Sequence, residues 1–208
     1  MLPLGRDATV LDLGAGTGKL TGVLVDRYAR VVAVEPLDEL RAILAERVPQ
    51  ADVREGVAEE IPLADAEVDG VFAAQAFHWF ANDVAVAEIA RVLRRGGVLA
   101  LLWNRALDPS PLPEAYRERI SRLHDERRPA AVEPDVLGRA GFFGQETEVY
   151  VDHEQVSDRD DVLAFAASVS WIASRDDRDE ILAELAELLP PGEYRFRMRA
   201  EVAWAIRS

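Results

Sequence analysis

In the stretch VLDLGAGTGKLT (10–21) an apolar run carries an acid, Asp12, and glycines follow at alternate positions, Gly14, Gly16 and Gly18. Glycines so placed let the chain turn tightly with positive φ and bring backbone amides against a ligand without intervening side chains. The helix expected next adds a partial positive charge at its N-terminus. Loops of this kind usually bind nucleotides, yet a carboxylate beside a phosphate cradle is repulsive. The dinucleotide fingerprint G-x-G-x-x-G requires glycine at 19, where Lys19 stands, and the P-loop requires a Lys-Ser/Thr pair where this chain has Lys19 and Leu20. Asp12 suits a ligand that carries an ammonium or a sulfonium.

Other residues could add chemistry. Glu35 closes the apolar run VVAVEP seventeen residues after Gly18. His78 lies in QAFHWF (75–80), and its imidazole could take the proton of an attacking hydroxyl, carboxylic acid or amine. Arg105 follows WN and could pair with a carboxylate substrate. His124 and His153 stand in polar contexts without metal-ligand spacing, so no metal site is expected.

The elements that must position these residues are legible from hydrophobic patterning. ATVLDLG (8–14), RVVAVEP (30–36), VDGVFAAQ (68–75) and GVLALLWN (97–104) are short and apolar on both faces, as central parallel strands are when helices cover both sides of a sheet. Between them, 19–28, 37–47 and 82–94 place apolar residues three and four apart, as in helices, and Gly96 with Gly97 supplies a stop after the last. The sum is an α/β fold, a doubly wound, Rossmann-like, mostly parallel sheet, with the ligand expected at the carboxyl ends of its strands. After Asn104 the rhythm changes. Residues 106–135 and 157–192 read as helical cap insertions on a core of residues 1–105. Alternating segments at 142–156 and 194–207 read as edge strands paired in an antiparallel hairpin, all within a single domain spanning 1–208.

With these residues in view, DLGAGTGKLT resembles motif I of the class I S-adenosylmethionine-dependent methyltransferases. VREGVAEEIPLADAEVDGVFAAQAFHWF (53–80) and RVLRRGGVLAL (91–101) are similar to the small-molecule branch, which includes trans-aconitate and ubiquinone-biosynthesis methyltransferase-like enzymes. The resemblance covers residues 8–104 and is architectural beyond. It implies methyl transfer from S-adenosyl-L-methionine to an O, N or C atom of a small molecule. It implies a cofactor-binding set of Asp12, Gly14, Ala15, Gly16, Gly18, Glu35, Pro36, Ala58, Glu59 and Gln75, with Glu35 on the ribose and Ala58 and Glu59 at the adenine edge. The acceptor is expected near Phe77, Trp79, Asn104 and Arg105, under a helical segment carrying Ser168 and Trp171, with His78 as the candidate catalytic base. Two departures stand out. Many relatives carry Asp after the third-strand glycine, where this chain has Val57; and Met1 precedes the first strand almost at once, where relatives usually carry some tens of residues of helix. The second departure implies either an open cofactor or a longer natural chain.

Size and composition set outer bounds. A chain of 208 residues fits one domain with insertions, and no segment has the length and apolarity of a membrane span. A net charge of −14 disfavours nucleic acid as partner. There is no cysteine and no signal-peptide pattern at the N-terminus, so a cytoplasmic monomer or homodimer is expected. Two readings compete with an active methyltransferase: a cofactor-binding protein that has lost its chemistry, and a nicotinamide-dependent oxidoreductase, which the glycine spacing and Asp12 oppose.

Overall fold

The computed structural model describes residues 2–125, 141–169, 172 and 175–208. Five strands come first: β1 (Thr9–Leu13), β2 (Arg30–Val34), β3 (Asp52–Arg54), β4 (Val68–Ala74) and β5 (Leu93–Ala106). Helices α1 (Lys19–Val25), α2 (Asp38–Arg47) and α3 (Asp83–Val92) lie between them in the chain. Then follow α4 (Glu114–Asp125), β6 (Thr147–Asp158), α5 (Arg159–Ser168), α6 (Arg178–Glu187) and β7 (Glu193–Ile206).

The seven strands form one sheet in the order β3-β2-β1-β4-β5-β7-β6. The first five are parallel, with Asp12 in register with Ala33 of β2 and Phe72 of β4. The late strands reverse direction. Gly96 pairs with Arg207 while Leu107 pairs with Arg197, so β7 runs antiparallel to its neighbour β5. An antiparallel bridge, Phe143 to Arg207, and ion pairs from Arg195 to Glu154 and Arg199 to Asp152 set β6 antiparallel to β7. The doubly wound, mostly parallel sheet with an antiparallel edge pair is thus the architecture expected from the patterning. The strand order reverses between β1 and β4, which puts the topological switch point beside the glycine loop.

Two element ends differ from expectation. Helix α1 stops at Val25 because Arg27 and Tyr28 turn their amides onto Leu24 O, and the Tyr28 ring packs on Phe72 at 5.8 Å. The strand after α3 begins at Leu93, ahead of the glycines, and Gly96 and Gly97 form an irregularity within it: the register jumps from Val68↔Leu93 to Gly70↔Val98. A Cβ at Gly97 would sit 2.8 Å from Arg94 O and 3.0 Å from Asp69 O, so the glycine serves a bulge and not a helix stop.

By its contacts the chain divides into two compact units, Met1–Trp103 with Ala131–Tyr150 and Glu201–Ser208, and Asn104–Ala130 with Val151–Ala200. In the first unit, Leu11, Leu13, Val32, Val34, Val71 and Ala73 pack with Ile89 and Leu93 on one side of the sheet, while Val10, Val31, Phe72 and Val98 pack with Leu24 of α1 and with Tyr28 just beyond it on the other. In the second unit, Tyr116 and Leu123 of α4 share a core with Val162 of α5 and with Ile181 and Leu185 of α6. Helix α5 starts on a capping box between Asp158 and Asp161. Its Arg159 donates to Ala186 O and Leu189 O at 2.7 Å each, tying the start of α5 to the C-terminal end of α6. Among the described residues no helix is long and apolar enough to cross a membrane.

Candidate functional site

The site grows from the end of β1. Gly14, Gly16 and Gly18 all take positive φ, at 71°, 58° and 82°. Each serves a different need. A Cβ at Gly14 would lie 2.8 Å from Ala76 Cβ, and one at Gly18 would lie 2.5 Å from Leu44 Cδ1, so these two positions admit close packing. At Gly16 a Cβ would meet nothing within 4 Å; this glycine borders open space.

The amides of the loop are engaged within the protein. Gly14 N and Ala15 N both donate to Val34 O, at 2.9 and 3.1 Å, and Gly18 N donates to Ala15 O. Gly16 N donates to Glu35 Oε2 at 2.8 Å. Sequence reasoning had these amides facing the ligand. In the structure Gly14 and Ala15 donate to the end of β2, Gly16 to the Glu35 that follows it, and Gly18 within the loop, so these four N–H groups are engaged.

Acids stand there instead. Asp12 is 1% exposed and Glu35 5%. Thr21 of α1 donates its hydroxyl to Asp12 Oδ2 at 2.6 Å. Burial pushes the Asp12 carboxyl up to about 6, the Thr21 hydrogen bond holds it down, and the Glu35 carboxylate raises it again. Glu35 accepts one backbone N–H on each oxygen, from Gly16 and, at 3.1 Å, from Leu37. A carboxylate has about four acceptor positions, so each oxygen retains one for a ligand hydroxyl. Arg41 of α2 turns its guanidinium onto Glu35 O, Pro36 O and the Asp38 side chain, fixing the turn after β2 and leaving the Glu35 carboxylate to its two amides.

The loop after β3 brings Ala58 and Glu59 to the same end of the sheet. Ala58 is buried in the core, and the exposed Glu59 accepts from Asn82 Nδ2 at 2.8 Å. Asn82 also caps α3, through Oδ1 on Ala85 N. Glu59 is thus tied to the start of α3. Two apolar residues stand exposed here, Leu37 at 59% in the turn after β2, which sequence reasoning missed, and Val57 at 45% after β3, noted there only as a departure from the resemblance. Their signal was an apolar residue directly beside each strand-end motif.

After β4 the backbone of Gln75 enters the left-handed region at φ 53°, its N–H bound to Leu102 O. A non-glycine residue held there is strained, and such strain gathers at functional sites. A single 3-10 turn, Phe77–Trp79, follows. Phe77 is buried and packs edge-on against Phe80, so it belongs to the core; Trp79 is 56% exposed, with the His78 ring 5.0 Å from its own.

The remaining acceptor candidates belong to the second unit. Asn104 and Arg105 lie exposed on β5, and Asn104 Oδ1 is 3.1 Å from Nε2 of His153, a residue given no role from sequence. Ser168 closes α5 with its hydroxyl on Phe165 O. Trp171 lies outside the described residues. Among the described residues, no cluster of three or more His, Asp or Glu side chains could hold a metal ion.

Comparison with known proteins agrees with this geometry. Residues 11–101 match the family described as "Methyltransferase domain". An uncharacterized methyltransferase of Mycobacterium tuberculosis is 56% identical over 95 residues, which cover 46% of this chain and 39% of that protein. A malonyl-[acyl-carrier protein] O-methyltransferase of Geobacter sulfurreducens is 33% identical over 193 residues, covering 80% of this chain and 66% of that one. The solved structure of the YcgJ protein from Bacillus subtilis superposes with a TM-score of 0.62 at 18% identity, over 99% of this chain and 94% of that chain. On these matches the chain is similar to the class I S-adenosylmethionine-dependent methyltransferases, most fully over residues 11–101. It spans well under half the length of the first curated relatives it matches, 39% of each.

Proposed function

We propose that this protein binds S-adenosyl-L-methionine and transfers its methyl group to a small molecule. The observation that carries this reading is the pair of buried carboxylates, Asp12 and Glu35, beside a glycine loop whose own amides are engaged. A dinucleotide needs free amides for its pyrophosphate; a sulfonium ligand with an ammonium and a ribose needs acids.

The residues present fit such a cofactor. Gly16 borders open space, Glu35 keeps an acceptor position on each oxygen for a pair of hydroxyls, and the exposed Leu37 and Val57 offer apolar surface to a flat ring. Once bound, S-adenosylmethionine supplies a methyl group made electrophilic by its bond to a positively charged sulfur. Displacement at that carbon requires alignment and exclusion of water, with no metal or covalent enzyme intermediate. Glu35 fixes the cofactor's sugar; Asp12 and the adjoining loop serve its methionine part. The strained turn at Gln75 presents the segment Gln75 to Trp79 to the acceptor, and His78 takes the proton that an O–H or N–H acceptor sheds.

The test is a methyl-transfer screen of metabolite extracts with the purified protein, read by mass spectrometry as a gain of one methyl mass that depends on added S-adenosylmethionine. With the acceptor found, His78→Gln is expected to lower turnover at least tenfold, about 1.4 kcal/mol in the barrier, with cofactor affinity unchanged. Wild-type turnover in that variant removes His78 from the chemistry.

A further inference from the structure

We infer that Asp12 is a proton-exchange site coupled to cofactor binding: the positive charge of the ligand enters the site in exchange for a proton held on the Asp12 carboxyl. The inference rests on the cofactor reading above and extends it to the protonation state of the protein's own residue.

The geometry is that of a buried acid pair, and among the described residues neither Asp12 nor Glu35 is ion-paired to a Lys, Arg or His side chain. Asp12 meets Thr21 from α1, Ala33 from β2 with Glu35 just beyond that strand, and Phe72 from β4; among these Glu35 alone is a carboxylic acid. The other ionisable side chain buried on that face, Tyr28, packs against Phe72, and Lys19 at the start of α1 is exposed. Of the guanidinium groups near these acids in sequence, Arg6 is exposed, Arg30 pairs with Asp52 and Glu67, and Arg41 is spent on backbone carbonyls and on Asp38 and Glu55. Two carboxylates close enough to couple cannot both stay charged at low cost in a buried site, so one holds a proton until a cation arrives. Asp12 is that one: burial and the Glu35 charge hold its carboxyl at about 6 against hydrogen bonds from the Thr21 hydroxyl and backbone, and the hydroxyl can donate to the ionised acid or turn to accept from the neutral one. A ligand cation next to Asp12 lowers the cost of its charge, and the proton leaves to solvent.

The sign follows from linkage. Below pH 6 binding must displace the proton, so affinity for a cationic ligand rises with pH, by up to about tenfold per pH unit, and levels off above pH 6. A neutral ligand shows no such slope.

Titration calorimetry in buffers of differing ionisation enthalpy counts the protons released on binding. At about pH 5.5, where Asp12 is mostly but not wholly protonated, S-adenosylmethionine is expected to release most of one proton per site, and adenosine, which carries no cation, none. S-adenosylhomocysteine keeps the ammonium and lacks the sulfonium: release equal to that of S-adenosylmethionine assigns the exchange to the ammonium, and release by S-adenosylmethionine alone assigns it to the sulfonium. Either result supports the exchange. Asp12→Asn should abolish release while unfolding cooperatively on heating, and Thr21→Val should move the pH of half-release upward. Binding of S-adenosylmethionine with no proton release, or undiminished release from Asp12→Asn, overturns this inference alone. Failure of both S-adenosylmethionine and S-adenosylhomocysteine to bind overturns the cofactor reading and the inference together.

Discussion

At the scale of single residues, the two acids of the site do separate work, and each makes its own prediction. Glu35 ties β2 to the glycine loop through Gly16 and offers its remaining acceptor positions to a ligand. Glu35→Ala should weaken S-adenosylhomocysteine binding by about 1 to 3 kcal/mol, the worth of charged hydrogen bonds, measured calorimetrically; unchanged affinity would remove Glu35 from the ribose role. Asp12 acts on stability as well. Its folded-state value of about 6 lies above the ordinary 3.8, so the folded protein holds the proton more tightly than the unfolded chain. That contribution to stability is fully present below pH 3.8 and is lost as pH rises through 6. The neutral amide of Asp12→Asn still accepts from Thr21. Relative to this variant, the wild type should therefore lose about 3 kcal/mol between about pH 4 and pH 7.5, read by urea unfolding across the range. A difference that does not grow with pH would contradict the burial argument. The type and place of both acids were legible in the sequence, because an acid at the end of an apolar run is an acid at the carboxyl edge of a strand. That the loop amides face β2 was not legible, since it depends on the loop folding back onto Val34, which no local pattern encodes.

At the scale of elements, the glycine loop is built from three residues that look equivalent and are not. Gly18 caps α1 in the left-handed region and stands where a Cβ would press on Leu44 and Val48 of the α2 segment. Gly16 has the same sign of φ with open space beside it. Alanine at either position incurs about 1 kcal/mol of backbone strain. Gly18→Ala should lose a further 1 to 3 kcal/mol of stability, roughly, from overpacking, with smaller effect on binding. Gly16→Ala should lose binding more than stability, because its methyl fills the ligand's space. Thermal unfolding with and without S-adenosylhomocysteine separates the two, and the reverse ranking would contradict these assignments. Element order was readable where period and burial agree: apolar runs gave four of the five parallel strands, and alternation gave β6 and β7, while β3, three half-buried residues with Val53 alone apolar, has no such run. It was less so where a tertiary contact decides the end of an element, as at Tyr28 on Phe72, or where glycines that read as a helix stop serve a bulge at Gly96 and Gly97. The exposure of Trp79 beside a buried Phe77 could not be read from QAFHWF, because a 3-10 turn breaks the period that would sort its aromatics.

At the scale of the whole molecule, charge and site agree. A net charge of −14 sets a field that favours a cationic ligand, and the site concentrates that preference in two buried carboxylates. The sheet order places them at the switch point, where an open α/β sheet receives ligands. Likeness to methyltransferases, strand order and a loop with its amides engaged all support the proposal that this end of the sheet takes S-adenosylmethionine and not a phosphate-bearing dinucleotide. Thermal unfolding at saturating ligand tests this most directly, since a ligand that binds only the folded state at a hundred times its Kd adds about 2.7 kcal/mol of stability. S-adenosylmethionine and S-adenosylhomocysteine are expected to raise Tm by several degrees, with NADH leaving it unchanged; stabilisation by NADH and not by the two adenosyl ligands would contradict the account.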